Sequence, residues 1–234
     1  MSERETAWRL SVVVPVLDEA ACIVGTLQSL QPLRARGHEL IVADGGSADG
    51  TPGLAAAFAD RVVAAPKGRA AQMNAGAAAA RGDALLFLHA DTRLPDDADR
   101  LVREALADLS RCWGRFDVRI EGRSPLLRVV AFCMNRRSRL TGIATGDQAI
   151  FATRPAFARA GGFPEIALME DIAFSKRMKK LSRPVCLAAA ATTSRRRWER
   201  YGILRTILLM WRLRLAYFLG ARPEELARRY AKQG

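Results

Sequence analysis

Short apolar runs alternate with helix-like segments through the first 110 residues, and this alternation is the feature that most limits the fold. The runs at residues 10–15, 39–43, 61–64 and 84–88 read LSVVVP, ELIVA, RVVA and ALLFL, as expected for short buried strands. Between them, the segments around 18–33, 53–59 and 74–80 have helical spacing or are rich in alanine. This order predicts a parallel sheet with helices on both faces, a Rossmann-like α/β half over residues 8–110.

Polar residues follow each of the four predicted strands. The segments are PVLDE at 15–19, ADGGSADG at 43–50, APKGRAA at 65–71 and HADT at 89–92. Ligands bind at the carboxyl ends of the strands in open α/β sheets, so these segments predict one shared crevice. Any one of them alone fits a solvated turn better than a binding site; four together favour the crevice.

The second half of the chain has a looser pattern. It predicts strands at 113–120 and 148–151 and helices at 126–140, 171–181 and 203–219. No internal repeat or low-complexity linker separates the halves. We therefore expect one continuous domain over residues 1–234.

The two halves differ sharply in charge. Residues 1–110 carry 11 Lys/Arg and 15 Asp/Glu, whereas residues 111–234 carry 26 and 9, which places the formal net charge of +13 in the second half. Such a field attracts anions: phosphates, nucleotides, acidic lipid head groups or nucleic acid. The four cysteines lie far apart, and the first ten residues lack the apolar core of a secretory signal, so we expect reduced thiols and a cytoplasmic protein.

The carboxylates at the strand ends suggest specific chemistry. Asp44 and Glu19 can accept hydrogen bonds from a nucleobase or from ribose hydroxyls. Asp91, beside a place for a pyrophosphate, can hold a hard divalent cation. His89 lies two residues earlier, on the same side of an extended strand, and is either a second ligand or a hydrogen-bond partner of the ligand set. The alternative is that His89 caps the strand and Asp91 caps the next turn.

The sequence lacks the motifs of several enzyme classes. No Walker A sequence is present, and DGGSADG does not fit GxGxxG, which disfavours P-loop and nicotinamide enzymes. No GxSxG is present either, which disfavours Ser–His–Asp chemistry.

The ordered motifs resemble family 2 glycosyltransferases with the GT-A fold. The donor half matches through PVLDE, ADGGSADGT, KGRAAQMNAG and HADT. The acceptor half, residues 111–200, matches through GDQAIF, RPAFARAGGFPE, MEDIAFSKRMKK and RRRW. The short subgroup described as radical-SAM or selenodomain associated is the nearest. The resemblance implies a Rossmann-like, mostly parallel sheet flanked by helices, followed by a C-terminal helical segment at 201–234.

The resemblance also implies a reaction and its residues. A sugar would pass from a nucleotide-diphosphate sugar to an acceptor hydroxyl or phosphate, with inversion and with Mg²⁺ or Mn²⁺ on the diphosphate. Asp171 would be the general base, with Glu170 beside it, and Asp91 and His89 would form the metal site. Donor binding would involve Pro15, Glu19, Asp44, Lys67, Arg69, Asn74, Ala90, Arg196 and Arg197; acceptor binding would involve Gly146, Asp147, Gln148 and Trp198.

Three positions depart from the family pattern. His89 replaces the first acidic residue of D-x-D, which leaves one carboxylate for the metal and would shift preference from Mg²⁺ toward Mn²⁺. Ser194 replaces the glutamine of Q-x-x-R-W, which argues against a processive polymerase. Met169 replaces the threonine before the ED pair and leaves the base in place.

Simpler interpretations remain for some of these residues. Asp171 is also a good helix N-cap, residues 195–197 also fit a solvated basic run, and Asp147 and Gln148 also fit the end of a strand. Rival functions are a nucleotidyltransferase and a non-catalytic basic protein that binds membrane or nucleic acid. No nucleic-acid module is visible, so no nucleic-acid partner is expected.

The segment 201–219, YGILRTILLMWRLRLAYFL, is apolar over much of its circumference and is interrupted by arginines. It predicts either an interfacial helix on the inner face of an anionic membrane, which would bring the site to a lipid-linked acceptor, or a helix buried against the domain or a dimer partner.

Overall fold

The computed structural model describes residues 8–233, and over this range the chain forms an eight-stranded mixed sheet with helices on both sides. The strand order is β3-β2-β1-β4-β7-β6-β8-β5. The strands are β1 (Leu10–Val16), β2 (Glu39–Asp44), β3 (Arg61–Ala64), β4 (Ala84–Phe87), β5 (Thr92–Arg93), β6 (Trp113–Ile120), β7 (Phe151–Thr153) and β8 (Val185–Thr193). The predicted α/β fold is confirmed; the domain prediction also spans residues 1–7 and 234, which lie outside the described residues, as does most of the segment examined for a secretory signal.

Helices connect and cover the strands. Those of the first half are α1 (Ala20–Ser29), α2 (Gln31–Ala35), α3 (Thr51–Ala56), α4 (Arg69–Ala79) and α5 (Ala98–Ala107). Those of the second half are α6 (Pro125–Thr141), α7 (Arg154–Arg159), α8 (Glu170–Met178), α9 (Arg196–Tyr201), α10 (Ile203–Phe218) and α11 (Pro223–Gln233).

The first half is the parallel part of the sheet. Strands β1, β2, β3 and β4 run parallel, with β1 between β2 and β4. Alternate residues of β1 enter different clusters: Val12 and Val14 pack with α1, whereas Val13 packs with α4. Strands buried on both faces are apolar at almost every position, which explains why these runs lack a polar alternation.

The second half extends the sheet through antiparallel β7 and the pair β6–β8, which run parallel to each other. The prediction of a strand at 148–151 is wrong: a single 3₁₀ turn occupies Gly146–Gln148, and β7 begins at Phe151. Thr145 and Gln148 form a reciprocal capping box that holds this turn. Strand β8, VCLAAAATT, is alanine-rich and carries little strand signal of its own; pairing with β6 defines it.

The C-terminal helices pack against α8. Leu209 and Leu213 of α10 and Leu226 of α11 form a cluster with Met169 and Ile172. Within residues 8–233, none of the helices has the length and apolarity needed to cross a bilayer.

Candidate active site

The loops after β1 and β2 are tied to each other at the carboxyl edge of the sheet. The Asp18 carboxylate accepts a hydrogen bond from the Ala48 amide at 2.8 Å, and the Glu19 amide donates to the Thr51 hydroxyl at 2.9 Å. Asp18 adopts a left-handed conformation, with φ of 54°, which turns the chain toward the second loop. Two of the predicted polar segments therefore form one rigid edge.

The Asp44 carboxylate is buried at this edge and faces its own turn. It accepts hydrogen bonds from the Gly46 amide at 3.0 Å and from the amide and hydroxyl of Ser47. Pro15, half-buried in β1, lies opposite Ala43 in the neighbouring strand. The structure thus brings Pro15 and Asp44 to adjacent strand ends.

Helix α4 begins beside this edge. Lys67 and Arg69 are exposed at its start. Gln72 is buried and donates from its amide to the carbonyls of Val16 and Ala43, so it fastens α4 to the ends of β1 and β2. Sequence reasoning missed Gln72, although its place inside the KGRAAQMNAG segment was a usable signal. Asn74 instead links the two halves of the chain. Its side-chain NH₂ donates to the Phe163 carbonyl, and its side-chain oxygen accepts from the Phe163 N–H, both at 2.9 Å.

One cluster gathers charged groups from three distant segments. The Arg196 guanidinium lies 3.2 Å from a carboxylate oxygen of Glu19 and 3.3 Å from one of Asp91. The Cys22 thiol, missed by sequence reasoning, lies 3.0 Å from the same Glu19 oxygen. Burial, together with the hydrogen bond to Glu19, raises the pKa of Cys22 to about 12, so this thiol stays protonated.

Pairing of β5 with β8 explains how Arg196 reaches Asp91. Thr92 and Arg93 pair with Thr193 and Thr192, and the Ser194 amide donates to the Asp91 carbonyl at 3.1 Å. The start of α9 is therefore held against the loop that carries Asp91. Ala90 lies in the same loop, where its carbonyl accepts a hydrogen bond from the Thr26 hydroxyl.

The expectation that His89 and Asp91 share one side of an extended strand is wrong. Strand β4 ends at Phe87, and the Thr92 amide donates to the His89 carbonyl at 3.1 Å, so the chain turns between the two residues. His89 Nδ1 lies 3.2 Å from a carboxylate oxygen of Asp147, whereas Asp91 faces Arg196. The other ring nitrogen, Nε2, is buried against Gly146 and has no hydrogen-bond partner among residues 8–233.

A pocket joins residues from both halves. Arg69 and His89 come from the first half, and Gly146, Glu170 and Asp171 come from the second. The apolar walls, which the motifs did not indicate, are Met73, Phe87, Ile150 and Phe163. The structure therefore brings the predicted carboxylate pair to the end of β4.

Asp171 is held firmly at the start of α8. One carboxylate oxygen accepts a hydrogen bond from the Ile172 amide at 2.7 Å, and the other accepts one from the Gly146 amide at 3.1 Å. Burial and the negative charge of Glu170 raise the pKa of Asp171 to about 6, against the opposing effect of those hydrogen bonds and of Arg69. Glu170 itself is buried, 3.7 Å from the Arg69 guanidinium.

The neighbouring carboxylate, Asp147, is biased in the opposite direction. Desolvation opposes its ionisation, but the hydrogen bond from His89 and the positive charges of Arg69 and Arg197 outweigh it, so the pKa of Asp147 lies below its ordinary value. Arg197 stacks on the Tyr230 ring of α11, with its guanidinium carbon 4.1 Å from the ring centroid. The pKa values of two nearby carboxylates are thus shifted in opposite directions, which is the pattern expected of groups with different chemical roles.

Two predicted acceptor residues have structural contacts. Gln148 is fully buried, and its amide bonds to Thr145 and to Asn135 of α6. Trp198 packs with Leu127 and Ile203, lining a cleft between α6 and the start of α10.

Arg137 of α6 was missed by sequence reasoning. It buries Nε and one terminal nitrogen without hydrogen-bond partners in the described part of the chain. Burial lowers the pKa of Arg137, whereas the negative charges of Asp171 and Asp147 favour its charged form. No motif singled out this position within the arginine-rich segment.

Few side chains around Asp91 can ligate a divalent cation. Among residues 8–233, no group of three or more His, Cys, Asp or Glu side chains is placed to hold a metal ion. Asp91 nevertheless presents a carboxylate that is 28% exposed, with Glu19 beside it, and already binds one cationic group there. One carboxylate with diphosphate oxygens and water is a normal donor set for Mg²⁺, so Asp91 fits the role. The two nitrogens of His89 face Asp147 and Gly146, which gives no support to His89 as a ligand.

Comparison with known proteins gives a consistent result. The profile described as glycosyl transferase family 2 matches residues 11–157. The succinoglycan biosynthesis protein ExoA of Rhizobium meliloti (strain 1021) is 35% identical over 124 residues, which is 45% of this chain and 35% of that protein. The chain thus spans about a third of the length of this relative.

Solved structures show the same fold. Staphylococcus aureus TarS 1-349 in complex with UDP-GlcNAc superposes with a TM-score of 0.64 and 16% identity, covering 80% of this chain and 58% of that one. The mannosyltransferase PcManGT of Pyrobaculum calidifontis, in complex with GDP-Man and Mn²⁺, superposes with a TM-score of 0.62 and 19% identity, covering 95% and 69%.

Proposed function

Because the chain belongs to glycosyl transferase family 2, we propose that it is a hexosyltransferase that moves a sugar from a nucleotide-diphosphate sugar to an acceptor hydroxyl, with inversion at the anomeric carbon. The family separates it from the nucleotidyltransferase alternative. Within the family, the motif set supports membership of the short radical-SAM or selenodomain-associated subgroup.

The observation that carries the proposal is the position of Asp171. It lies in a pocket formed by both halves of the chain, beside Glu170 and opposite His89. A carboxylate is an effective general base when its pKa lies near the working pH, and a pKa of about 6 meets that condition. The hydrogen bonds from Gly146 and Ile172 hold the carboxylate in one orientation, as a base must be held.

In the proposed transfer, the bond that forms at the anomeric carbon replaces the bond that breaks there. Asp171 takes the proton of the acceptor hydroxyl while the acceptor oxygen forms a bond to the anomeric carbon. The bond between that carbon and the diphosphate oxygen breaks, and its electron pair leaves with the nucleoside diphosphate. Arg196 and Arg197, at the start of α9, are available to stabilise the charge on the leaving group.

The donor would lie across the carboxyl edge of β1, β2 and β4. Asp44 and Glu19 would accept hydrogen bonds from the nucleoside, with Pro15, Lys67, Arg69 and Ala90 around them. Asp91 would hold Mg²⁺ or Mn²⁺, whose contribution when bound is to neutralise charge on the diphosphate. Residues 8–110 would thus form the donor half and residues 111–200 the acceptor half.

Thermal shift of the purified chain tests the donor assignment. UDP, GDP, dTDP and ADP are each added with and without Mn²⁺, since a ligand of the folded state raises the melting temperature. We expect one diphosphate to stabilise the protein, more strongly with Mn²⁺, and the effect of Mn²⁺ to be lost in Asp91→Ala.

Asp96→Ala is the matched control, because Asp96 is an exposed carboxylate five residues away. It should behave like the unmodified chain. Absence of stabilisation by all four diphosphates would contradict the donor assignment, and an unchanged Mn²⁺ effect in Asp91→Ala would contradict the metal assignment.

A further inference from the structure

The outward face of α10 is apolar along its whole length. Its members follow one another at intervals of three or four residues, and each is between 57% and 69% exposed: Leu204, Leu208, Trp211, Leu215 and Phe218. We call these five residues the α10 stripe. Leu219, just beyond the helix, is 78% exposed. An ordinary surface helix turns its polar side outward, so this arrangement needs an explanation.

The opposite face of α10 already has its partner. Thr206, Leu209 and Leu213 are buried, and the two leucines pack with Met169 and Ile172 near the start of α8. The helix is therefore fixed to the domain, and the α10 stripe is a second apolar surface. Of the two expectations for this segment, the structure shows the buried helix on one face and leaves the other face uncovered.

Basic residues border the α10 stripe on both sides. At 100° per residue, Arg205 and Arg212 lie on one border and Arg214 lies on the other. The helix contains no Asp or Glu. An apolar face bordered by arginines is the composition of a helix that lies in the interface of a membrane with anionic lipids.

Helix α6 adjoins the start of α10. Leu127 of α6 and Ile203 at the start of α10 belong to the same cluster, so the two helices meet there. Four large apolar residues of α6 are at least half exposed: Leu126, Val129, Phe132 and Leu140. Arg128 and Arg136 are exposed on the same helix, which also lacks acidic residues.

We propose that α10 and α6 dock the protein on an anionic lipid bilayer, with the α10 stripe inserted at the level of the acyl chains and the arginines at the head groups. Charge favours a bilayer over a second copy of the chain. Two copies joined through this face would bring their arginines together, and neither helix has a carboxylate to pair with them.

Docking would also position the acceptor site. Lys176, five residues after Asp171 on α8, places its ammonium group 5.3 Å from the centroid of the Tyr217 ring and 4.9 Å from that of Phe218. The end of α10 therefore contacts the helix that begins with the carboxylate pair. This part of the inference rests on the proposed function: the acceptor would be a hydroxyl carried by a lipid. The docking itself does not depend on catalysis.

Flotation of the full chain with vesicles tests the docking. Neutral phosphatidylcholine vesicles are compared with vesicles that contain about 30% phosphatidylglycerol. This anionic lipid gives the vesicle surface a negative potential. We expect flotation with the anionic vesicles and little with the neutral ones. The double variant Leu208→Glu/Leu215→Glu should lose at least about tenfold in partitioning, because it puts charge at the depth of the acyl chains.

Matched controls separate docking from loss of folding. Leu109→Glu adds charge at a leucine that is 98% exposed and outside both helices, and it should float normally. Arg205→Glu/Arg212→Glu should lose binding by about 25-fold, at roughly fivefold for each basic residue, whereas exposed Arg103→Glu should not. Circular dichroism verifies that each variant is folded.

A second measurement locates the contact. Brominated lipids should quench the fluorescence of Trp211, and this quenching should disappear in Trp211→Phe, which should still float. Failure to float with anionic vesicles, or equal flotation of Leu208→Glu/Leu215→Glu, would overturn the proposal. A concentration-dependent dimer in analytical ultracentrifugation that this double variant abolishes would assign the face to a second copy instead. Flotation without nucleotide stabilisation would leave the docking in place and count against the proposed function alone.

Discussion

The donor edge and the surroundings of the Asp171 pocket satisfy their polar groups in different ways. At the donor edge, Asp18, Asp44 and Gln72 are engaged in hydrogen bonds with their own loops and strand ends. Around the pocket, Asp171 has a raised pKa, and His89 and Arg137 bury side-chain nitrogens without partners among the described residues. Polar groups that are already paired build a rigid surface, whereas buried polar groups without partners cost stability and are expected where a ligand completes the site.

Backbone geometry shows a related difference. At the donor edge, the non-glycine residue with positive φ is Asp18, a residue type that tolerates it, whereas the turns that border the pocket contain Ala149 and Met169, with φ of 45° and 72°. Such conformations are costly for residues with a β-carbon and persist where the surroundings enforce them. Met169 immediately precedes Glu170 and Asp171, so the strained residue positions the carboxylate pair.

Removal of the proposed base should have the largest effect. Asp171→Asn keeps the shape of the side chain and an oxygen acceptor but cannot take a proton, so turnover should fall by about 10²- to 10⁴-fold while donor binding remains. The measurement is release of nucleoside diphosphate from sugar donors that carry the nucleotide identified by thermal shift. Exposed Glu165→Gln, six residues earlier, is the control and should retain activity. If Asp171→Asn kept its turnover, Asp171 would not be the general base.

A smaller loss is expected from Gly146→Ala. A methyl group on Gly146 would overlap the His89 ring, which must move away from Asp147 or displace the turn that donates to Asp171. Misplacement of about 1 Å near reacting groups can cost about 100-fold in rate, and we expect a loss of 10- to 100-fold by this argument. Gly25→Ala is the control, because nothing lies within 4 Å of its added methyl group. Equal activity of the two variants would show that the Gly146 turn does not position the site.

The smallest effect concerns stability and the link between the halves. Asn74→Ala removes both hydrogen bonds to Phe163 and leaves a buried N–H and carbonyl without partners, so the free energy of unfolding should fall by about 1–3 kcal/mol. Denaturant unfolding measures this change. Gln28→Ala, an exposed amide on α1, should change it by less than about 0.5 kcal/mol. If Asn74→Ala kept its stability but lost nucleotide binding, Asn74 would belong to the donor site instead.

The sequence predicted the donor half well because each strand there is a buried apolar run. The predicted bounds of β3 are those of the structure, and β1 and β2 each extend one residue further. The same local signal failed at β8, where alanines gain strand structure only through β6, and at Gln148, where a capping interaction replaces the expected strand.

Local spacing also limits what can be predicted of the site. The carboxylate pair at 170–171 is visible in the sequence, and so is Asp91. The contact between Arg196 and Asp91 spans 105 residues and depends on the pairing of β5 with β8, which neither segment indicates alone. The divergence of His89 and Asp91 depends on where β4 ends, a boundary that an apolar run does not define.

The pH dependence of nucleoside diphosphate release tests the central claim most directly. Because the base must be ionised, kcat/KM should fall about tenfold for each pH unit below an apparent pKa near 6, the pKa of Asp171. Glu170→Gln removes the like charge, so the pKa of Asp171 should fall and the acid limb should move to lower pH. Glu165→Gln should leave the limb in place. An acid limb that does not move in Glu170→Gln, or that persists unchanged in Asp171→Asn, would show that Asp171 is not the base.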